Sequence, residues 1–194
     1  MKVETTTTKS GRHTCPWWLL FTFDNPIRKL IHNPEKILTP YIKSGDTVLD
    51  VGCGMGYFTL GLAQLVGPKG KVVAVDLQEQ MLAGLHKRAE GAGLMDRIQL
   101  HQSSPDQIGV DQPMDFALAF WMVHEVRQQK DFLWQVYDTL KLEGKFLLVE
   151  PIIHVTRMAF EQSLSLAKEI GFQEIERSSV RASRAVVLRK EAAR

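Results

Sequence analysis

A short stretch, residues 46–58, constrains the fold more than any other part of this chain. Its β-branched apolar run, Thr47–Val51, is typical of a buried strand. Three alternating glycines, Gly52, Gly54 and Gly56, follow the run and permit positive φ angles and the close approach of a ligand. The residues beyond them are typical of a helix, whose free N–H groups favour polar or anionic ligand atoms. The stretch therefore predicts a cofactor site at the carboxyl end of a strand.

The acid and the glycine spacing indicate which cofactor this site takes. A dinucleotide fingerprint needs its third glycine where Tyr57 stands, and no Gly-Lys-Ser/Thr sequence follows to form a P-loop. Asp50, just before the glycines, would repel a pyrophosphate but suits a ligand that carries an amino group. S-adenosylmethionine (SAM) has a free ammonium and no phosphate. The pattern therefore predicts SAM, with S-adenosylhomocysteine (SAH) as the product.

The residues 48–56, Val-Leu-Asp-Val-Gly-Cys-Gly-Met-Gly, resemble motif I of the class I SAM-dependent methyltransferases. Within that family, this motif most resembles that of the small-molecule branch, which includes the ubiquinone/menaquinone C-methyltransferases. The resemblance extends from about Pro34 to the C-terminus. It implies an α/β, Rossmann-like sandwich with a mostly parallel seven-stranded sheet and an antiparallel C-terminal edge strand. Residues 34–194 would form the SAM-binding domain, and residues 1–33 an N-terminal segment and lid.

Apolar runs and capping residues predict the other elements. The predicted strands are 47–51, 71–76, 97–101, 114–121, 146–150, 172–177 and about 184–189. Helices are predicted at about 26–31 and 34–42, because each follows a capping residue and begins with proline. A turn is predicted at 141–145, and a helix between the capping residue Thr156 and the terminating Gly171.

Residues at the carboxyl ends of the strands are the predicted cofactor contacts. Asp76, at the end of the second strand, can accept hydrogen bonds from both ribose hydroxyls of a nucleoside. The resembling family usually has an Asp at the adenine amino group, where this chain has Ser104, with Asp106 two residues further on. Ser104 or backbone groups would take that contact here. The predicted cofactor-binding residues are Asp50, Gly52, Cys53, Gly54, Asp76, Leu77, Met81, Ser103, Ser104 and Phe120.

The methyl acceptor is expected beside the fourth and fifth strands. His124 fits the family pattern of an apolar strand followed by a histidine, and the ordinary pKa of histidine suits a general base at neutral pH. Alternatively, His124 caps the next element or bonds a backbone carbonyl. The aromatic segment 15–23 is interpreted as a lid packed on the core or as a wall of the acceptor pocket. The two interpretations are compatible. The predicted substrate contacts are Trp17, Trp18, Trp121 and His154.

The composition and net charge limit which kinds of partner are expected. A net charge of +2 over 194 residues gives no argument for nucleic acid. The two cysteines, Cys15 and Cys53, form neither a metal-binding spacing nor a disulfide framework, so we predict no metal site and a cytoplasmic protein. The apolar stretch 16–23 is too short to span a bilayer. A small-molecule acceptor and a monomer or homodimer are expected.

Other functions remain open. An RNA or protein methyltransferase could dock through the basic C-terminal hairpin that carries Arg177, Arg181, Arg184 and Arg189. A SAM-binding scaffold protein without transfer activity could use the aromatic segment on a partner. An oxidoreductase that uses NAD is a more distant alternative, because of the missing third glycine.

Overall fold

A computed structural model describes residues 31–191, in which α-helices alternate with the strands of one sheet. The helices are α1 (Pro34–Leu38), α2 (Tyr57–Val66), α3 (Glu79–Gly91), α4 (Gln129–Thr139) and α5 (Arg157–Ile170). The strands are β1 (Thr47–Val51), β2 (Lys71–Asp76), β3 (Ile98–Gln102), β4 (Met114–Phe120), β5 (Leu140–Pro151), β6 (Phe172–Glu176) and β7 (Ser183–Lys190). Among these elements, no helix has both the length and the apolar character that crossing a bilayer requires.

The sheet has seven strands in the order β3-β2-β1-β4-β5-β7-β6. Strands β1 to β5 pair in parallel, and β7 is antiparallel to both of its neighbours, β5 and β6. The antiparallel strand therefore lies one place inside the edge, and the hairpin of β6 and β7 closes the sheet. This architecture confirms the predicted Rossmann-like class I methyltransferase fold.

Both faces of the sheet are covered, which explains why its central strands are continuous apolar runs. On one face, α1, α2 and α3 contribute Leu38, Leu62 and Leu85 to a core that also contains Val48. On the other face, α4 and α5 contribute apolar side chains such as Leu133 to a second core. The chain thus forms three layers, helices on each side of a buried sheet.

Two predicted boundaries are wrong. The stretch 141–145, predicted as a turn, belongs to β5: Leu140 faces Met114 and Lys145 faces Phe116, so β5 bulges between these pairs. Glu143 takes a positive φ of 64° within the bulge. Helix α1 ends at Leu38 instead of residue 42, because Pro40 has no N–H with which to continue the helix. The helix predicted at 26–31 lies almost wholly outside the described residues.

The parallel strands bring their carboxyl ends to one edge of the sheet. The strand order reverses between β1 and β4, since β2 and β3 lie on one side and β5 on the other. Ligands of open α/β sheets bind in the crevice at such a switch point. The fold therefore places Asp50, Asp76, Phe120 and Glu150, the last residues or nearly the last of β1, β2, β4 and β5, around one crevice.

Candidate active site

A cavity of about 900 Å³ opens at this edge. Ligand pockets span about 300–1,000 Å³, so the cavity has room for a nucleoside-sized cofactor and a small second molecule. Every predicted site residue within 31–191 lines it: Asp50, Gly52, Cys53, Gly54, Asp76, Leu77, Met81, Ser103, Ser104, Phe120, Trp121, His124 and His154. Trp17 and Trp18 lie outside the described residues.

The glycine turn after β1 presents bare backbone to the cavity. Gly52 and Gly54 have φ angles of 70° and 53°, which side chains rarely adopt. A Cβ at Gly52 would lie 2.8 Å from Cγ of Met122, whereas a Cβ at Gly54 would meet nothing within 4 Å. Gly54 therefore keeps open a space against the backbone that a ligand can fill.

Asp76, the last residue of β2, is hydrogen-bonded to this turn. Its Oδ2 accepts a hydrogen bond from the N–H of Gly54 at 2.9 Å, and its Oδ1 accepts one from the N–H of Gln78 at 2.9 Å. Burial raises the pKa of Asp76, and these N–H donors oppose that rise. A carboxylate has about four acceptor positions, so Asp76 still has acceptors to offer to two hydroxyls of a ligand.

Asp50 lies deeper, at 2% exposure. Its Oδ2 accepts a hydrogen bond of 2.6 Å from the hydroxyl of Thr59 on α2. Burial raises the pKa of Asp50 to about 7; the Thr59 hydroxyl opposes this rise, and the charge of Asp76 adds to it. A carboxyl group of this kind is readily ionised by a cation in the cavity, because an opposite charge favours the charged form. Thr59 was missed in the sequence, where it is one of several polar residues on a helix.

Cys53 shares the same wall but has no nucleophilic character. Its thiol is buried, and burial and the charges of Asp50 and Asp76 raise the pKa of the thiol. The thiolate is the reactive form, so Cys53 acts here as a small packed side chain. Within residues 31–191, no group of three or more His, Cys, Asp or Glu side chains could hold a metal ion.

Two loops form the side of the cavity that borders β2 and β3. The N–H of Ser103 donates to the Asp76 carbonyl at 3.1 Å, and the N–H of Ser104 donates to the Gln107 carbonyl at 3.0 Å. These bonds hold the serines in the cavity wall, together with Leu77, which is partly exposed. A planar group could lie against this apolar side chain with polar atoms at its edge.

The opposite end of the cavity holds a histidine paired with a buried acid. His124 lies in a short helical turn, Val123–Glu125, after β4. Its Nδ1 is 2.5 Å from Oε2 of Glu150, near the end of β5. This hydrogen bond raises the pKa of His124 above its usual value, and burial opposes the rise. Glu150 is not among the predicted cofactor or substrate contacts, but as the acid that ends the fifth predicted strand it is a sequence candidate for orienting a donor.

His154 and Trp121 complete this end. The ring of His154 lies nearly parallel to that of His124, with centroids 6.0 Å apart. Trp121 follows β4 with a φ of 62°, a strained value for a bulky residue. Its backbone N–H donates to the Val149 carbonyl at 2.8 Å, and its indole N–H donates to the Ser183 hydroxyl at 2.9 Å. These contacts hold the indole in the cavity wall.

A sheet of this strand order, with such a cavity at its switch point, defines a class I methyltransferase fold. A family model described as a methyltransferase domain matches residues 48–144, half of the chain. The chain therefore belongs to the methyltransferase domain family.

Curated and solved relatives agree with this membership. The demethylmenaquinone methyltransferase of Lactobacillus johnsonii is 31% identical over 129 residues, which are 64% of this chain and 53% of that protein. The ubiquinone/menaquinone biosynthesis C-methyltransferase of Escherichia coli is 28% identical over 124 residues, 62% of this chain and 49% of that protein. The chain thus spans about half the length of these relatives. A SAM-dependent methyltransferase from Aquifex aeolicus superposes with a TM-score of 0.82 at 25% identity, over 91% of this chain and 99% of that one.

Proposed function

We propose that this protein transfers a methyl group from SAM to a small-molecule acceptor. The observation that carries this proposal is one cavity with two differently equipped ends. One end has the bare glycine turn and two buried carboxyl groups, and the other has His124, whose ring is hydrogen-bonded to the buried Glu150. Family membership and the Aquifex aeolicus structure support the cofactor, and the printed names of the curated relatives support a small acceptor.

The residues of the first end fit SAM on three counts. Gly54 leaves space beside the backbone, Asp76 has acceptors to spare, and Asp50 is a buried acid that a cation would ionise. Asp76 would hold the ribose, and Asp50 the ammonium group, directly or through water. The other predicted contacts divide into those beside the adenine (Leu77, Met81, Ser103, Ser104) and those beside the methionine part (Gly52, Cys53, Gly54, Phe120).

Positioning is the main task of the protein in such a reaction. SAM supplies, when bound, a methyl group already activated on a sulfonium. Alignment of the two reactants can contribute roughly 7–11 kcal/mol to lowering the barrier. A general base such as His124 adds about 10²–10⁴-fold. The cavity walls therefore matter more than any single catalytic group, and His124 would take the proton that the acceptor releases.

The N-terminal segment, residues 1–33, is proposed to cover the acceptor end with Trp17 and Trp18. The support comes from where the described chain begins. The buried ring of His32 packs edge-on against Phe120 and Trp121, with centroids 5.2 and 4.9 Å away, and both of these side chains line the cavity. The described part of the chain therefore begins beside two residues of the cavity wall, which supports a cover over this end.

The basic hairpin gives little support to an RNA or protein acceptor. Arg177 forms ion pairs with Glu161 and Glu174, each at 2.6 Å, and Arg189 pairs with Glu143 at 3.2 Å. These carboxylates neutralise charge that phosphate binding would require.

A cytoplasmic monomer or homodimer remains our proposal for the state of the protein.

Calorimetric titration with SAM and with SAH tests the function. We expect both to bind, with SAH at least as tight as SAM. A screen of small acceptors should then detect SAH formation that requires the protein. Absence of binding by both compounds would overturn the proposal. Binding without turnover over a broad acceptor panel would favour the non-catalytic scaffold.

A further inference from the structure

One side chain of α4 is hydrogen-bonded to the loop that follows β3. Gln135 is among the residues that line the cavity. Its Oε1 accepts a hydrogen bond of 2.8 Å from the backbone N–H of Ile108, and its Nε2 donates one of 3.0 Å to the backbone carbonyl of Asp106. These two backbone groups lie on either side of Gln107. The Gln135 amide therefore takes the place that a peptide of a neighbouring strand would occupy in a sheet.

The residues just before Ile108 form a tight turn in the cavity wall. The N–H of Ser104 donates to the carbonyl of Gln107 at 3.0 Å, and the N–H of Gln107 donates to the carbonyl of Ser104 at 3.4 Å. Pro105, in the second position, has the fixed φ that such turns favour. The turn, residues 104–107, is exposed along its whole length, whereas Ile108 is buried. Its position therefore depends on the contacts at its two ends.

The two ends of the turn are attached to different elements. Before the turn, the N–H of Ser103 donates to the carbonyl of Asp76, the last residue of β2, at 3.1 Å. After it, the amide of Gln135 attaches Asp106 and Ile108 to α4. Loss of this amide would leave the α4 end with the apolar packing of Ile108 but without two directed contacts.

The turn carries a hydroxyl that a ligand can use. The backbone N–H and carbonyl of Ser104 are bonded within the turn, whereas its hydroxyl has no hydrogen-bond partner among residues 31–191. Ser104 lines the cavity and is a predicted contact of the adenine. A serine side chain is short, and a hydrogen bond requires a separation of about 2.5–3.2 Å between its two heavy atoms. The place of this hydroxyl is therefore set by the backbone of the turn.

We propose, on the basis of the proposed function, that Gln135 is a positioning residue for recognition of the adenine base of SAM. It holds the turn, residues 104–107, from the side of α4, so that the Ser104 hydroxyl meets the amino group of the base. Both polar atoms of the Gln135 amide bond the loop, so the residue acts on the cofactor through the turn. Its effect is on which base the cavity accepts.

The first test measures recognition of the amino group by calorimetric titration of the full-length protein. The ligands are SAH and an analogue of SAH with purine as its base, in which hydrogen replaces the amino group. We expect the wild type to bind SAH about 3–10-fold more tightly, the usual effect of one hydrogen bond. Gln135→Leu removes both amide contacts and should abolish this preference. Gln162→Leu, the same change at an exposed position of α5, should keep it.

A second pair of ligands separates positioning from a general loosening of the cavity. SAH is compared with 2′-deoxy-SAH, which lacks a ribose hydroxyl and so reports on the proposed contact of Asp76. Gln135→Leu should leave this second preference unchanged. Equal binding of SAH and the purine analogue by the wild type, a full adenine preference in Gln135→Leu, or equal losses in both preferences would overturn the positioning role. Failure of the wild type to bind SAH would instead overturn the proposed function.

Amide hydrogen exchange tests the contact itself in the ligand-free protein. In the wild type the N–H of Ile108 should be protected. Gln135→Leu should accelerate its exchange and leave that of Ser103, which is bonded to β2, unchanged. Unchanged exchange of Ile108 would show that the amide does not hold the loop. If Gln135→Leu does not fold, the wild type still decides: an unprotected Ile108 N–H, or no preference for SAH over the purine analogue, would overturn the inference.

Discussion

At the scale of single residues, Asp50 and Asp76 differ in how their oxygens are used. Asp76 supports the glycine turn with one oxygen and the start of α3 with the other, while it keeps acceptors for a ligand. Asp50 is more deeply buried, and its one side-chain partner among residues 31–191 is Thr59. This difference predicts that the two acids recognise different parts of the cofactor and respond differently to pH.

Asp76→Ala should weaken SAM and SAH binding by about 10²-fold or more, because two hydrogen bonds to a charged acceptor contribute about 1.5–3 kcal/mol each. The folded state should persist, since the turn keeps the bonds from Gly52 and Cys53 to the Val75 carbonyl. Calorimetric titration and circular dichroism measure the two outcomes. Asp111→Ala, at an exposed loop position, is the control. Unchanged affinity in a folded Asp76→Ala protein would refute the ribose assignment.

Burial raises the pKa of Asp50 to about 7. The affinity for SAM should therefore fall as the pH drops below about 7. The ionised carboxylate attracts the ammonium group, whereas the protonated form does not, so the loss approaches tenfold per pH unit. Titrations in buffers with different protonation enthalpies should show proton release on binding near neutral pH. Asp50→Asn should bind weakly and show no proton release from this site. Equal pH dependence in both proteins would contradict the assignment.

At the scale of elements, strand ends and caps carry the site. Helix α5 follows the loop that carries His154, and the Thr156 hydroxyl caps it by accepting a hydrogen bond from the N–H of Ala159 at 3.2 Å. Thr156→Ala should lower the free energy of unfolding by about 0.5–2 kcal/mol, the usual loss for such a cap. Urea denaturation measures it, with Ser165→Ala on the same helix as the control. No difference between the two variants would show that the cap contributes nothing.

Sequence reasoning succeeds at this scale where the signal is local. Strands β1 and β2 and the cap of α5 follow from apolar runs and capping residues, and the strand ends predict Asp50 and Asp76 in the cavity wall. The contact between His124 and Glu150 depends on the register of β4 and β5, which no short stretch encodes. The bond from Thr59 to Asp50 likewise requires the packing of α2 on β1. The bulge at Glu143 was missed because its residues resemble an ordinary turn.

At the scale of the whole molecule, the cofactor end of the cavity contains a group, Asp50, that favours binding but lowers the stability of the folded protein. Within the part of the chain that the structure describes, Asp50 is buried with a single side-chain partner, and burial of a charge without full compensation is unfavourable. The protein without ligand therefore carries a destabilising group at the centre of its sheet. SAM, by its ammonium charge, would remove part of that penalty on binding.

Asp50→Asn should make the ligand-free protein more stable than the wild type at pH 8, and less so as the pH falls. The folded-state pKa of about 7 lies above the ordinary value of 3.8, so the folded state holds the proton more tightly than the unfolded chain. Stability from this group is therefore present at low pH and is lost as the pH rises to about 7, by at most about 4 kcal/mol. Urea denaturation at pH 5 and pH 8 should show a growing advantage of Asp50→Asn, with Asp111→Asn as the control. A constant difference between the variant and the wild type would mean that Asp50 is already ionised at pH 5 or remains protonated at pH 8.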